Sequence, residues 1–350
     1  MKFSHQIIFL NILAILLISK DVCSQTGGRG TYGFLDLPVS ARVASLGGTA
    51  TAIYDDDINV AIFNPAALNA SMDNQLALSY VNYFAGINYG YSAYAKSTEK
   101  YGTFMGGIQY INYGKFTRAE ENGERVGEFR AGEYALNLGW AYQLDSNFSI
   151  GAILKPIYSS MADVYSFGIS TDIAAAYYTK ERDFAATLIL RNFGTTLISY
   201  REDNRENLPF EIQAGVSKRV KNAPFRLMLS FTNLQTFDLT YTDSTAININ
   251  PLTGQEENDN PSFFNKSVRH LVTGVEFIPS ENFHVRLGYN FQRGNEMSVD
   301  SRLSLAGFSW GLGFRVKKFH LSYGMATYHI AGASHHITIA TNLNSFRAAG

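Results

Sequence analysis

The feature that most constrains this chain is a side-chain period of two that starts near Gln75 and runs almost to the last residues. In 283–292, Phe283, Val285, Leu287, Tyr289 and Phe291 share one face, while His284, Arg286, Gly288, Asn290 and Gln292 share the other. Phe308, Trp310, Leu312, Phe314 and Val316 alternate in the same way with Ser309, Gly311, Gly313, Arg315 and Lys317. Successive side chains of a strand point to opposite faces, so each segment reads as a strand with one apolar and one polar or small face. Fourteen segments obey the rule: about 75–83, 88–97, 102–113, 128–144, 148–158, 165–178, 183–193, 209–220, 225–232, 268–278, 283–293, 301–316, 319–327 and 334–343. Most exceed the five or six residues typical of soluble strands, and lengths of about ten suit a tilted crossing of a bilayer. The expected fold is all-β, a 14-stranded antiparallel transmembrane barrel.

The connections carry an independent signal. Alternate gaps are short: 98–101, 145–147, 179–182, 221–224, 279–282 and a turn at Lys317 and Lys318. The other parity holds every long gap, 114–127, 194–208 and 233–267. Membrane barrels have short turns at one end and long loops at the other, whereas a soluble sandwich has no reason to sort loops by parity. Pro156 interrupts the fifth segment and is expected to mark a bulge or that strand's outer end. Segment 31–70 does not alternate and precedes the first strand, so it is expected to fold inside the lumen as a plug.

The beginning of the chain reads as an export signal. Lys2 precedes the apolar run 7–18, and cleavage after Ser24 would leave Gln25 first. That run is too short to span a bilayer of about 30 Å. Its removal would take Cys23 with it, leaving no thiol chemistry or disulfide. The expected layout is a signal over 1–24, a lead-in and plug over 25–72, and the barrel over 73–346. Composition agrees: aromatics make up 14% and charged residues only 17%, against about 25% charged in typical soluble domains. A net charge of -1 supplies no basic stripe for nucleic acid.

Several motifs match chemistry by letter but not by context. Gly307-Phe-Ser309-Trp-Gly311 fits the nucleophile elbow, which needs a strand-to-helix turn; here Ser309 sits inside a clean alternation as a small inward residue. Gly28, Gly30 and Gly33 fit a dinucleotide loop without its preceding strand. Asp55-Asp56-Asp57 starts like a calcium loop but has Val60 and Ala66 where Gly and Glu belong, so a solvated acidic turn is expected. His335 and His336 are strand neighbours and must point to opposite faces. Asp243-Ser244-Thr245 resembles an O-glycan acceptor, a pattern of only three residues. No catalytic, metal or cofactor site is expected. Glu211, Gln213, Arg226, His284, Arg286, Asn290, Arg315 and His320 are expected to line the lumen, a polar interior ill-suited to storing an apolar substrate.

Residues 37–48 (LPVSARVASLGG, ending in Gly47 and Gly48), then Asp55–Asp57 and Asn64-Pro65-Ala66, resemble the N-terminal plug signature of FadL-like outer-membrane barrels. Within that fold, EYALNL (133–138), FSIGAILKPIYSS (148–160), LPFEIQAGV (208–216), RHLVTGVEFIP (269–279) and YGMATYHIAGAS (323–334) are similar to PorQ-like barrels of the type IX secretion system. One departure is that Phe346 is followed by four further residues instead of ending the chain. The resemblance implies a non-enzymatic anchor in the outer membrane of Bacteroidota, working beside PorU-like, PorV-like and PorZ-like partners in a surface attachment complex. The alternative it leaves open is a FadL-type channel for hydrophobic molecules. Loop 233–267 favours the anchor: at about 35 residues it far exceeds the ~12–15 at which unstructured loops become unusual. Phe237, Tyr241, Phe263 and Phe264 punctuate it and are the expected partner-binding residues.

Overall fold

The structure, a computed structural model, describes residues 30–201, 207–240, 262–296, 305–329 and 332–346. The expected export signal, Tyr241 and the triplet Asp243-Ser244-Thr245 lie outside the described residues. Fourteen strands form one closed antiparallel barrel, each paired with its neighbours in sequence and the last closing on the first. They are β1 (Gln75–Asn82), β2 (Asn88–Thr98), β3 (Gly102–Ala119), β4 (Arg125–Gln143), β5 (Phe148–Met161), β6 (Val164–Tyr178) and β7 (Phe184–Ile198). The second half comprises β8 (Glu211–Arg219), β9 (Phe225–Phe231), β10 (Leu271–Ser280), β11 (Phe283–Asn290), β12 (Phe308–Val316), β13 (Phe319–His329) and β14 (Gly332–Asn342). Closure leaves no sheet edge, the condition a strand protein must meet to sit in hydrocarbon.

The burial pattern is inside out relative to a soluble protein. Along β4, Glu133, Ala135, Asn137 and Ala141 are buried, while Tyr134, Leu136, Leu138, Trp140 and Tyr142 are exposed. Leu78, Leu188, Leu227, Leu229, Leu287, Ile337 and Ile339 continue that exposed belt. An apolar surface running round the whole molecule is far larger than water tolerates, and lipid accounts for it. Aromatic rows bound the belt. Tyr110, Tyr134, Tyr158 and Phe167 are direct neighbours across β3–β6 on the long-connection side. Tyr142, Phe148 and Tyr177 ring the short-turn side. Tyr134 and Tyr142 are eight residues apart, roughly 26 Å of strand, the scale of the ~25 Å apolar band.

Four boundaries differ from expectation. The 114–127 loop is mostly strand: β3 continues to Ala119 and β4 resumes at Arg125, with Phe116 and Phe129 stacked at 5.3 Å. Likewise β7 runs to Ile198 through the start of the expected 194–208 loop. Alternation fades where lipid ends, but backbone pairing does not, so sequence period understates the strands' reach. Conversely, β12 begins at Phe308, and Phe291–Glu296 is a helical turn instead of the end of β11. Pro156 neither ends β5 nor shifts its register. It pairs with Ile169, and the β4–β5 ladder lapses only between Leu154 and Ile157.

Candidate functional site

The lumen is filled by the segment that precedes β1. Its short turns are set by local capping. Ser40 accepts from the Val43 amide to start helix α1 (Ala41–Ser45), and Asp57 caps helix α2 (Ile58–Ala61). Gly47 and Gly48 close α1 at φ of 92° and 87°, the Gly48 amide donating back to the Val43 carbonyl. Asn64 then accepts from the Ala66 amide, with Pro65 at the first position of the turn it caps. Its amide also donates to the Thr51 carbonyl, tying the two halves of the plug together.

Plug and wall touch backbone to backbone. A Cβ on Gly288 would lie 2.2 Å from the Gly47 amide, and one on Gly151 would lie 2.4 Å from Pro65. The small wall face therefore admits the plug. Polar wall residues then hold it: Ser309 Oγ accepts from the Gly47 amide at 2.9 Å, and Ser149 donates to the Ala66 carbonyl at 2.6 Å. Ser309, the second residue of β12, is thus part of the plug–wall seam. His335 bonds Tyr323 on the outer face, while His336 is fully buried inside.

Two charged clusters lock this contact. In the first, Arg42 of α1 reaches Glu276 on β10 at 2.9 Å, Asp55 at 2.7 Å and Asp57 at 3.0 Å. Arg226 and Arg286 also bond Glu276, each at 2.9 Å, and Arg226 reaches Asp55 at 2.8 Å. Three arginines thus face three carboxylates. Burial alone would raise Asp55, but Arg42 and Arg226 overcome it and hold the carboxyl well below the usual range. The expected solvated acidic turn is therefore a correction: Asp55 and Asp57 are ion-paired to an arginine from their own plug. In the second cluster, Lys155 pairs with Asp172 at 2.5 Å and donates to Asn192 at 3.0 Å. Asn192 donates to Asp36 of the plug, and Arg191 donates to the Leu35 carbonyl. Burial pushes the Asp36 carboxyl up to about 7, partly offset by Arg191.

The polar lumen residues expected from sequence separate by place. Arg226 and Arg286 join the first cluster; Glu211 and Gln213 bond each other at 2.7 Å; Asn290 donates to the Gly47 carbonyl. His284, Arg315 and His320 line a cavity of about 510 Å³ at the short-turn end, floored by Arg42, Asp55 and Asp57. The long-connection end differs on its β1–β4 side. There Tyr83, Ile87 and Tyr113 are part-exposed and, with Leu37 of the plug, pack against the buried apolar cluster, Tyr83 meeting Tyr89 edge to face. Outside, Phe237 meets Phe263 in a tilted ring contact at 5.4 Å, and Phe263 and Phe264 are exposed to 75% and 73%. The ion pairs were invisible in the sequence because Arg42 and Glu276 are 234 positions apart. An arginine inside the small-residue run 41–45 was the one available hint.

A closed antiparallel sheet of fourteen strands, apolar outside and filled by its own N-terminal segment, defines the class: a transmembrane β-barrel with an internal plug. Solved structures share this architecture. The P. putida toluene transporter TodX matches with a TM-score of 0.52 and 12% identity, over 88% of this chain and 99% of TodX. A TodX deltaS2 variant, described as a monoaromatic hydrocarbon channel, matches with a TM-score of 0.50 and 12% identity, over 86% and 96% of the two chains. At that identity the likeness establishes the fold. No family model and no curated protein matches the sequence.

Proposed function

We propose that this chain is an outer-membrane barrel that admits small hydrophobic molecules, entering at the apolar side of its outer mouth. The observation that carries the reading is the part-exposed surface of Leu37, Tyr83, Ile87 and Tyr113, continuous with the buried apolar plug. The toluene transporter and the hydrocarbon channel that share its fold support this function over the anchor role expected from sequence. Much of the lumen polarity that counted against a channel is gathered into clusters that fasten the plug, and at this entrance the Tyr113 hydroxyl is turned to Glu133. In cells lacking other hydrocarbon channels, production of the barrel should raise uptake of labelled toluene. Ile87→Lys should lower that uptake at an equal level of assembled barrel. No gain in uptake from a correctly assembled barrel would overturn the reading.

A second reading, a surface anchor of the PorQ-like kind, is favoured by one observation. Phe237, Phe263 and Phe264 form an exposed aromatic patch outside the barrel, and aromatics are the usual anchors of protein interfaces. Gentle-detergent purification should then recover PorU-, PorV- or PorZ-like partners. Replacing 246–260 by a short linker should release them while the barrel stays assembled. Retention of the partner by that variant would sink the anchor reading.

A further inference from the structure

The cavity at the short-turn end carries more positive charge than the plug needs. Seven arginines and lysines line it against four carboxylates; Glu276, which bonds three of the arginines, stands behind the floor. With Glu276 included, an excess of two positive charges remains. The floor is self-neutral, because Arg42, Arg226 and Arg286 are matched by Asp55, Asp57 and Glu276. The surplus sits on the rim: Arg219 at the end of β8, Arg315 on β12, and Lys317 and Lys318 in the next turn. Among the described residues none of these four has a carboxylate within 4.0 Å. The opposing rim acids are Asp56 and Glu281. His284 and His320 line the same space. Four cations around one cavity, without a carboxylate partner among the described residues, form an anion site.

We propose that this inner mouth binds a phosphate-bearing ligand. Tetrahedral phosphate takes several charge-assisted hydrogen bonds at once, the recognition that arginine and lysine supply together. The volume, about 510 Å³, falls in the usual range of small-ligand sites, about 300–1,000 Å³. Bound there, the anion would touch wall cations on β12 and its turn while resting on plug residues Arg42, Asn59 and Ser71, so occupancy would fasten the plug from below. A soluble phosphate ester and the headgroup of an anionic lipid share this chemistry.

The test is calorimetric titration of the full barrel, in uncharged detergent, with inorganic pyrophosphate against potassium chloride of equal ionic strength. Saturable one-to-one binding is expected. Arg315→Gln with Lys318→Gln should weaken it by about tenfold or more, the loss of at least one charge-assisted contact. Arg125→Gln, at the opposite end, should leave it unchanged, with heat-modifiable gel migration showing that both variants are folded. Competition by phosphatidylglycerol vesicles, and not by phosphatidylcholine vesicles, identifies a lipid headgroup as the source; absence of competition identifies a soluble ester. No saturable binding, equal weakening in both variants, or abolition by matched chloride overturns the proposal.

Discussion

Arg42 on the plug and Glu276 on β10 share two parallel hydrogen bonds, Nε to Oε1 and Nη2 to Oε2, each 2.9 Å long. Glu276 is 1% exposed and serves Arg226 and Arg286 as well. Removing its charge would leave three buried guanidinium groups short of a partner. Breaking a buried pair from one side costs about 3–5 kcal/mol. Glu276→Gln should therefore lower the midpoint of heat-modifiable migration clearly; an unchanged midpoint would show that the network does not hold the plug.

The Asp36 contact predicts a pH dependence. Its carboxyl is pushed from the ordinary value of 3.8 to about 7 by burial, so the folded form holds a proton that the unfolded chain gives up. The stabilisation is complete below pH 3.8, declines as pH rises, and is lost once pH passes about 7. Asp36→Asn should flatten the decline over that window. A variant with the same slope as the parent would assign the effect elsewhere.

Gly288 tests the close approach of plug to wall. A Cβ there meets the Gly47 amide at 2.2 Å and the Leu46 carbonyl carbon at 2.3 Å, both backbone atoms, so the plug cannot yield by rotating a side chain. Overpacking of this kind costs about 1–3 kcal/mol. With a cysteine at Ala44, which is fully buried, the parent should resist a bulky thiol reagent applied to whole cells. Gly288→Val should make that cysteine reactive. Ready labelling of the parent would contradict the seated plug.

Two neighbouring substitutions on opposite faces should differ in kind. Leu287 is 48% exposed on the belt, and an arginine near the bilayer midplane costs roughly 2–4 kcal/mol in such barrels. Leu287→Arg should reduce the yield of assembled barrel. Ser309→Ala leaves the buried Gly47 amide without its acceptor, a loss of about 1–3 kcal/mol in the seating of the plug, and should leave assembly of the barrel intact. Equal yields from both would contradict the assignment of faces.

The barrel was legible because each strand crosses lipid, and lipid writes a period of two into the sequence. Phe283–Asn290 and Phe308–Val316 keep that period from end to end. Beyond the bilayer the rule has no cause, which is why the β3–β4 hairpin past Tyr113 read as loop. The plug's course was legible only in part. Gly47, Gly48, Asn64 and Pro65 declare turns, but the partners that fix the plug lie on distant strands. Small residues such as Gly151 and Gly288 read as a lumen face without saying what approaches them. Nor could alternation show that Tyr83, Ile87 and Tyr113 come together at the outer mouth, since two of them lie in or beside a connection.

The most direct test of a lipid-embedded barrel uses the two tryptophans the chain contains. Trp140 is 37% exposed on the belt of β4, and Trp310 stands on the outward face of β12 beside Tyr323. In vesicles whose acyl chains carry bromine, the emission of both should be strongly quenched, while aqueous iodide should leave it nearly unchanged. Quenching by iodide with no effect of brominated lipid would place the tryptophans in water and contradict the account.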